Sequence, residues 1–244
     1  MDHHDPGTLY VVSTPIGNLE DITLRAVRVL KEVAIIAAED TRHTKQLCAH
    51  FGITTPLTSY HDFNKEDKTA VLLERLRGGA SIALVSDAGT PVISDPGYFL
   101  ITRSIEAGIR VVPIPGPSAV LAALAASGLP TDAFRFEGFL PRKDGPRSKR
   151  IERLREDSAS LILFESPHRI GKLLTSLHAI LGNRRAVLGR ELTKRFEEFR
   201  RGTLGELLEQ VHTHPPKGEI TLVVEGAPKR TRPDHASAER LRLP

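Results

Sequence analysis

The sequence predicts two successive α/β units, the first built on a mainly parallel sheet. Three observations carry that expectation. Short apolar runs alternate with amphipathic stretches along the chain, the pattern of strands joined by crossover helices on both sheet faces. The segment Pro113-Ile114-Pro115-Gly116-Pro117-Ser118 sets three prolines at alternate positions, which makes a stiff extended link. The chain has 244 residues and is 40% hydrophobic, enough to bury one or two cores. The expected division is therefore residues 1–113, residues 114–228 and a polar tail over 229–244.

The elements follow in order. Leu9–Ser13 is a short apolar strand. Asp21 is placed to cap a helix whose Leu24, Val27 and Leu30 recur at three-residue steps. Val33–Ala38 is the second strand and ends at Glu39-Asp40-Thr41-Arg42. A helix-like stretch containing Cys48 follows, then the strand Leu57–Tyr60 and a helix from Asp67 to Arg77. The strand Ile82–Ser86 feeds the most informative stretch, the loop Ser86–Gly97. That loop holds two Ser-Asp pairs, two glycines and two prolines and opens into a helix over Tyr98–Ala107. A long loop at the carboxyl end of a strand is where open α/β sheets place ligands. The plain alternative is a surface connection of ordinary turn residues. Arg110–Ile114 completes about five strands in the first half.

Beyond the link, Ser118–Ser127 reads as an Ala-rich helix. The second unit offers the strands Phe134–Gly138, Leu161–Glu165, Ala186–Arg190 and Glu219–Glu225. Its clearest helix, Arg169–Leu181, sets Ile170, Leu173, Leu174, Leu177, Ile180 and Leu181 on one face.

Composition excludes several classes. A single cysteine, Cys48, allows no intrachain disulfide and suits the reducing cytoplasm, where it reads as a core residue. No apolar run approaches about 20 residues, so no membrane helix is expected, and the polar start is unlike a signal peptide. The location expected is cytoplasmic. There is no Gly-x-Gly-x-x-Gly after a strand, no phosphate-binding Gly-Lys-Ser/Thr loop and no Gly-x-Ser-x-Gly elbow. No zinc spacing is present and no metal is expected.

Charge is uneven. Residues 1–113 carry 11 Lys and Arg against 14 Asp and Glu, whereas residues 114–244 carry 23 against 16. Basic residues crowd into Arg142–Arg155, with Arg147, Lys149 and Arg150 at its centre, and into Arg184–Arg201. Arg-dominated clusters suit a polyanion such as RNA. The alternative is a solvated helix face, since Glu152 and Glu156 interleave.

Seven segments, each at an expected strand end or link, then form a set. They are Thr14-Pro15-Ile16-Gly17-Asn18-Leu19, Ala38-Glu39-Asp40-Thr41-Arg42, Ser59-Tyr60-His61, Ser86–Gly97, Pro115-Gly116-Pro117-Ser118, Phe164-Glu165-Ser166-Pro167-His168-Arg169 and Arg190-Glu191-Leu192-Thr193-Lys194. In this order, from about Leu9 to Gly226, the chain resembles the tetrapyrrole methylase superfamily. Within it the likeness is to the branch that 2'-O-methylates a cytidine in small-subunit ribosomal RNA. The resemblance implies two α/β domains with S-adenosyl-L-methionine in the cleft between them, a homodimer, and small ribosomal subunit RNA as partner.

The residues agree with that chemistry. A sulfonium cofactor asks for acceptors near its cationic groups, N–H donors for its carboxylate and an apolar slot for adenine. Asp87 and the backbone near Thr90 offer acceptors. Ser118 and Ala119 open a helix whose N-terminal N–H groups favour an anion. Phe164, Leu192 and Ile220 suit the adenine slot, or are plain strand core. By resemblance, Pro15, Asp87, Thr90, Ser118, Phe164 and Glu165 fall at cofactor-contact positions. Candidate bases for a ribose hydroxyl are His61 and the Glu39-Asp40 pair, ahead of Glu165 and His168. Asp40 and Glu39 could instead orient Arg42 or cap the following helix. Arg42 and Arg169 join Arg147, Lys149 and Arg150 as candidate RNA contacts. Two departures stand out. The branch usually continues Tyr-His with Glu and a second His, where this chain has Asp62 and Phe63. It also commonly carries a small helical domain after the last strand, where 18 residues follow Gly226 here; that bears on RNA affinity more than on cofactor binding. Rival readings are a methylase of a small tetrapyrrole and a non-catalytic RNA-binding factor.

Overall fold

A computed structural model describes residues 5–93 and 97–228. The expected tail over 229–244 and the Ser94-Asp95-Pro96 part of the long loop lie outside the described residues. In the first half, β1 (Thr8–Val12), α1 (Leu24–Glu32), β2 (Ile35–Ala38), α2 (Thr41–His50), β3 (Leu57–Ser59), α3 (Lys65–Arg77), β4 (Ile82–Val85), α4 (Tyr98–Glu106) and β5 (Arg110–Ile114) alternate strictly. The strands form one parallel sheet in the order β3-β2-β4-β1-β5. Successive strand residues face opposite sides. Val12, Ile36, Ala38, Ala83 and Val85 pack with Val29, Leu30 and Cys48 of α1 and α2. Leu9, Ile35, Ala37, Ile82 and Leu84 pack with Leu72, Leu76 and Leu100 of α3 and α4. Neighbouring strands β1 and β4 thus send their following chain to opposite faces, which opens a crevice at their carboxyl ends.

The cap of α1 corrects the sequence reading. Thr23, not Asp21, is the N-cap, its hydroxyl accepting from the Ala26 N–H at 3.1 Å. Asp21 lies in a preceding 3-10 turn, Leu19–Asp21, capped by Asn18. The extra turn displaces the helix start, and short polar residues serve equally well in either place.

The second half contains α5 (Ala119–Ser127), β6 (Phe134–Gly138), α6 (Asp144–Glu152), β7 (Ser160–Glu165), α7 (Ile170–Leu181), β8 (Arg185–Arg190), β9 (Glu198–Thr203), α8 (Leu204–Thr213) and β10 (Ile220–Val224). Its sheet runs β6-β7-β10-β8-β9. Only β6 and β7 pair in parallel; β7–β10, β10–β8 and β8–β9 are antiparallel. One face carries α6, α7 and α8 on Leu161, Leu163, Leu188 and Leu222. The other carries α5, whose Val120, Ala123 and Leu124 meet Ile162, Val187 and Val223. Among the described residues no helix is long and apolar enough to cross a membrane.

Three elements add to those expected from the sequence: β9, α6 and α8. Glu198-Phe199-Arg200-Arg201 looks like part of a basic run, yet it pairs with β8 in register from Arg185↔Thr203 to Arg190↔Glu198. Charges are tolerated there because β9 is an edge strand. For α8 a local signal exists. Thr203 and Glu206 form a reciprocal capping box, which the Thr-x-x-Glu spacing before an apolar run announces.

Candidate active site

The carboxyl ends of the first sheet's strands are tied together by short polar contacts. Thr14 and Gly89 exchange backbone hydrogen bonds of 2.9 and 3.0 Å. The Thr14 hydroxyl donates to the Ser86 carbonyl at 3.2 Å. The Ser13 and Thr90 hydroxyls lie 3.0 Å apart, and Thr90 donates to the Pro117 carbonyl at 3.4 Å. The loops after β1, β4 and β5 are therefore one assembly, and Pro15, Thr90 and Ser118 are brought together by it. Gly89 adopts φ +80, and a Cβ there would stand 3.3 Å from Ile16 Cγ2. Val92, β-branched, holds φ +77, a strained state of the kind that clusters at ligand sites.

Between the two sheets lies a cavity of about 660 Å³, within the size range of small-molecule sites. Ile16, Ala88 and Ile93 line it from the first half. Ala119, Phe164, Leu192 and Ile220 form an apolar wall from the second. The Phe164 ring is set edge-on to Phe136 and Phe139, with centroids 4.9 and 5.7 Å away. Ala119, Phe164, Glu165, Leu192 and Ile220, all expected from the sequence to hold the cofactor, thus line one cavity.

Charged groups also line this cavity. Glu165 is buried, its side chain only 1% exposed. One of its oxygens accepts from the Ser166 N–H at 2.8 Å and the other pairs with Arg169 at 3.1 Å. Arg169 also donates to the Leu140 carbonyl at 2.8 Å. The guanidinium is turned inward, to a carboxylate four residues back along the chain, with a quarter of its side chain still exposed. Lys194 bridges Glu191 at 2.9 Å and Glu219 at 3.0 Å. Its stem lies on the β1 loop, where a Cβ at Gly17, φ +155, would fall 2.3 Å from Lys194 Cγ. The Glu219 backbone N–H and the Lys194 ammonium hold the Glu191 carboxyl below its usual range. Glu191 and Thr193 take φ +49 and +64, and the buried Thr193 hydroxyl has no partner. The sequence motif contains Glu191 and Lys194 without giving either a role; opposite charges three apart in a strand-end loop are the available signal. Nothing local marks Glu219.

The remaining candidates lie along the same sheet edge and do not line this cavity. Asp87 accepts from the Asp40 N–H at 2.9 Å, joining the β4 and β2 loops, and lies 3.6 Å from His43. Asp40 is the N-cap of α2, accepts from the Arg42 N–H at 2.8 Å and pairs with the Arg42 guanidinium at 2.6 Å. The hydrogen bonds from the Arg42 side chain and backbone hold the Asp40 carboxyl well below the usual carboxylate range. Asp40 thus caps α2 and anchors Arg42, the role the sequence left open beside that of a base. Glu39 adjoins it at the end of β2. His61 follows β3. Its N–H donates to Asn64 Oδ1 at 2.9 Å and its Nε2 lies 3.3 Å from the Asn64 amide, while Nδ1 is buried without a partner. Cys48 is buried in α2, and burial pushes its thiol up, which makes it inert as a nucleophile.

The basic cluster around α6 divides. Arg147, with its side chain 7% exposed, binds Asp144 at 2.6 Å, Ser176 at 3.1 Å and the Arg142 carbonyl at 3.1 Å. It is a structural tie between α6 and α7, which corrects its assignment to RNA. Arg150 pairs with the buried Glu137 carboxylate at 2.7 Å. Lys149, with Arg142, Lys143 and Arg153, faces solvent. Among the described residues no cluster of His, Cys, Asp and Glu is arranged to hold a metal ion.

A parallel sheet with a cleft at its strand ends, walled by a second sheet and bordered by strained loops, is the architecture of a ligand-binding α/β protein. The chain matches the Tetrapyrrole (Corrin/Porphyrin) Methylases over residues 8–208 and belongs to that family. The ribosomal RNA small subunit methyltransferase I of Halalkalibacterium halodurans is 52% identical over 237 residues, 97% of this chain and 82% of its own length. The protein of the same name from Pseudomonas aeruginosa is 48% identical over 240 residues, covering 97% of this chain and 85% of its own. Among solved structures, the cobalt precorrin-4 methyltransferase of cobalamin biosynthesis superposes with a TM-score of 0.67 at 18% identity, over 89% of this chain and 94% of that one. Diphthine synthase gives 0.67 at 18%, over 90% of both. These two likenesses concern the fold.

Proposed function

We propose that the protein transfers a methyl group from S-adenosyl-L-methionine to the 2'-oxygen of a cytidine ribose in small-subunit ribosomal RNA. The observation that carries this reading is the 660 Å³ cleft in a chain about half identical, over nearly its whole length, to ribosomal RNA small subunit methyltransferases I. The residues present fit the cofactor. Phe164, Leu192, Ile220 and Ile16 give an apolar wall for adenosine, and the N-terminus of α5 at Ser118 and Ala119 favours a carboxylate. Glu165, Glu191 and Glu219 against Arg169 and Lys194 leave a net negative charge at the cavity wall, and the tied loops after β1 and β4 close its other side through Ile16, Ala88 and Ile93. When bound, the cofactor supplies an electrophilic methyl group. The chain's own task is to hold the ribose in line, accept its proton and exclude water, and placement supplies much of such a rate. His61 is the proton acceptor in this reading, through Nε2, the ring nitrogen that the Asn64 amide approaches at 3.3 Å, whereas the Arg42 hydrogen bonds hold the Asp40 carboxyl well below the usual carboxylate range. Glu39 is the neighbouring carboxylate. In this reading the first unit runs through Ile114, the last residue of β5 and one residue past the division expected at 113, and α5 belongs to the second unit, on whose sheet it packs. The reading includes a cytoplasmic homodimer, and the exposed Tyr98 and Ile105 on α4 offer apolar contact area for a second copy.

The test is transfer of labelled methyl to small ribosomal subunits lacking the modification. The product should resist alkaline cleavage at the modified nucleotide, because its 2'-oxygen is blocked. Label that still cleaves there would refute ribose methylation. In the same assay His61→Ala should lose turnover by about 100-fold or more, as expected for loss of a general base, with cofactor binding intact.

A second expectation concerns the basic surface. Reversing Lys149 and Arg153 to Glu should weaken subunit binding and flatten its salt dependence by roughly one to two units of log–log slope, since each phosphate contact releases counterions. Arg147→Met should instead lower the unfolding midpoint and leave the salt slope alone. An unaltered slope in the double reversal would mark α6 as a plain solvated face.

A further inference from the structure

Phe63 is the most exposed large apolar side chain among the described residues, with 98% of its surface in water. It sits in the loop after β3, and that loop is well built. Asn64 binds the His61 N–H through Oδ1, and its amide reaches the Ser59 carbonyl and hydroxyl at 3.3 Å each. Lys65 pairs with Asp62 at 3.1 Å. The backbone is pinned while the ring stands against the edge of His61, with centroids 6.1 Å apart and planes at 65°. An exposed aromatic ring on a pinned backbone, beside the proposed proton acceptor, is placed for a flat ligand.

Its surroundings indicate what kind. β3 lies two strands from β4 in the parallel sheet, so its loop stands roughly 10 Å along the same carboxyl edge from the loop that borders the cleft. Nucleotides adjoining one held at the cleft can span that separation. Between α2 and the start of β3, Arg42 and Lys45 with Thr41, Thr54 and Thr55 line a groove of about 640 Å³ beside Leu57, and the Arg42 side chain is 88% exposed. An exposed aromatic ring after β3 and a cationic, hydroxyl-lined groove between α2 and the start of β3 are the parts that single-stranded RNA recognition uses, in which bases stack on rings and phosphates meet Arg and Lys.

We infer that Phe63 is a stacking platform for an unpaired base adjoining the modified nucleotide, with Arg42 and Lys45 taking the neighbouring phosphate. The inference rests on the proposed RNA substrate and assigns how that substrate is held. The chain contains no tryptophan, so Phe63→Trp places a single fluorescent reporter at this position.

The test compares wild type, Phe63→Ala and Phe63→Trp with small ribosomal subunits as methyl acceptor. Phe63→Ala should raise the KM for subunits about 5- to 150-fold, the range that loss of one base–aromatic stack produces. Phe63→Trp should restore it. Cofactor affinity by calorimetry and the unfolding midpoint should not move, since the ring buries almost nothing in the protein. Indole emission of the Phe63→Trp variant should be quenched by protein-free small-subunit RNA. Unchanged KM in Phe63→Ala alongside active wild type overturns this inference alone, as does unquenched emission at saturating RNA. A shift of Phe63→Ala to a smaller species in sedimentation also overturns it and makes the ring a contact between copies. Wild type that transfers no methyl to subunits overturns the proposed function and this inference together.

Discussion

An Ala119→Trp variant is expected to lose S-adenosyl-L-methionine binding by more than about 100-fold, equivalent to about 2.7 kcal/mol. Ala119 is the first residue of α5 and lines the 660 Å³ cleft beside Phe164 and Leu192. An indole at that position occupies the space the cofactor would take and stands against the apolar wall. The side chain enters open cleft rather than packed core, so the unfolding transition should move little, in contrast to the 1–3 kcal/mol typical of overpacking a filled interior. Calorimetric titration with the cofactor and urea unfolding read the two effects separately. Undiminished binding with a folded variant would put the cofactor outside this cleft.

The second large effect concerns stability. Arg169→Met should destabilise the protein by about 3–5 kcal/mol, the usual result of stripping one partner from a buried ion pair. Glu165 is the group left behind. Its carboxylate is shielded from water and would keep only the Ser166 N–H, while the Leu140 carbonyl would lose its donor as well. Replacing both partners, Glu165→Leu with Arg169→Met, should recover much of the loss, because an apolar pair of similar volume leaves no unpaired charge. Urea midpoints of the two variants provide the comparison. A single variant of native stability that binds small subunits weakly would instead return the Arg169 guanidinium to the RNA.

Much of this site is legible in the amino-acid sequence. The Ser86–Gly97 loop announces itself by length, glycines and prolines, and its described part supplies Ala88 and Ile93 to the cleft and Gly89 and Thr90 to the tie with β1 and β5. Ala119, Phe164, Glu165, Leu192 and Ile220 each stand at a strand end or a helix start, and all five meet in one cavity. The alternation of apolar runs leads directly to the parallel first sheet, because period and connection length are local properties of the chain. The second sheet is less legible. Its β9 is written in Glu and Arg and borrows its order from pairing with β8, and no local pattern announces a partner's hydrogen bonds. Glu219 joins the cleft through a lysine 25 residues away in the chain.

What the sequence determined by itself was the order of elements in the first half, the turn-rich stretch after β5 and the loops after β1, β4, β7 and β8 that meet at the cleft. Those follow from periodicity, turn chemistry and chain direction, all of which act between near neighbours. What only the tertiary structure decided was the use of each charge. Arg147 and Lys149 stand two residues apart in one basic run, yet on a helix they point about 200° apart. One is buried across α6 and α7 on Asp144 and Ser176, and the other faces water. Likewise Arg169 turns inward to Glu165 while Arg42 stays at the rim. A charge can be counted along the chain, but whether it is available to RNA depends on which carboxylates and carbonyls the fold brings to it.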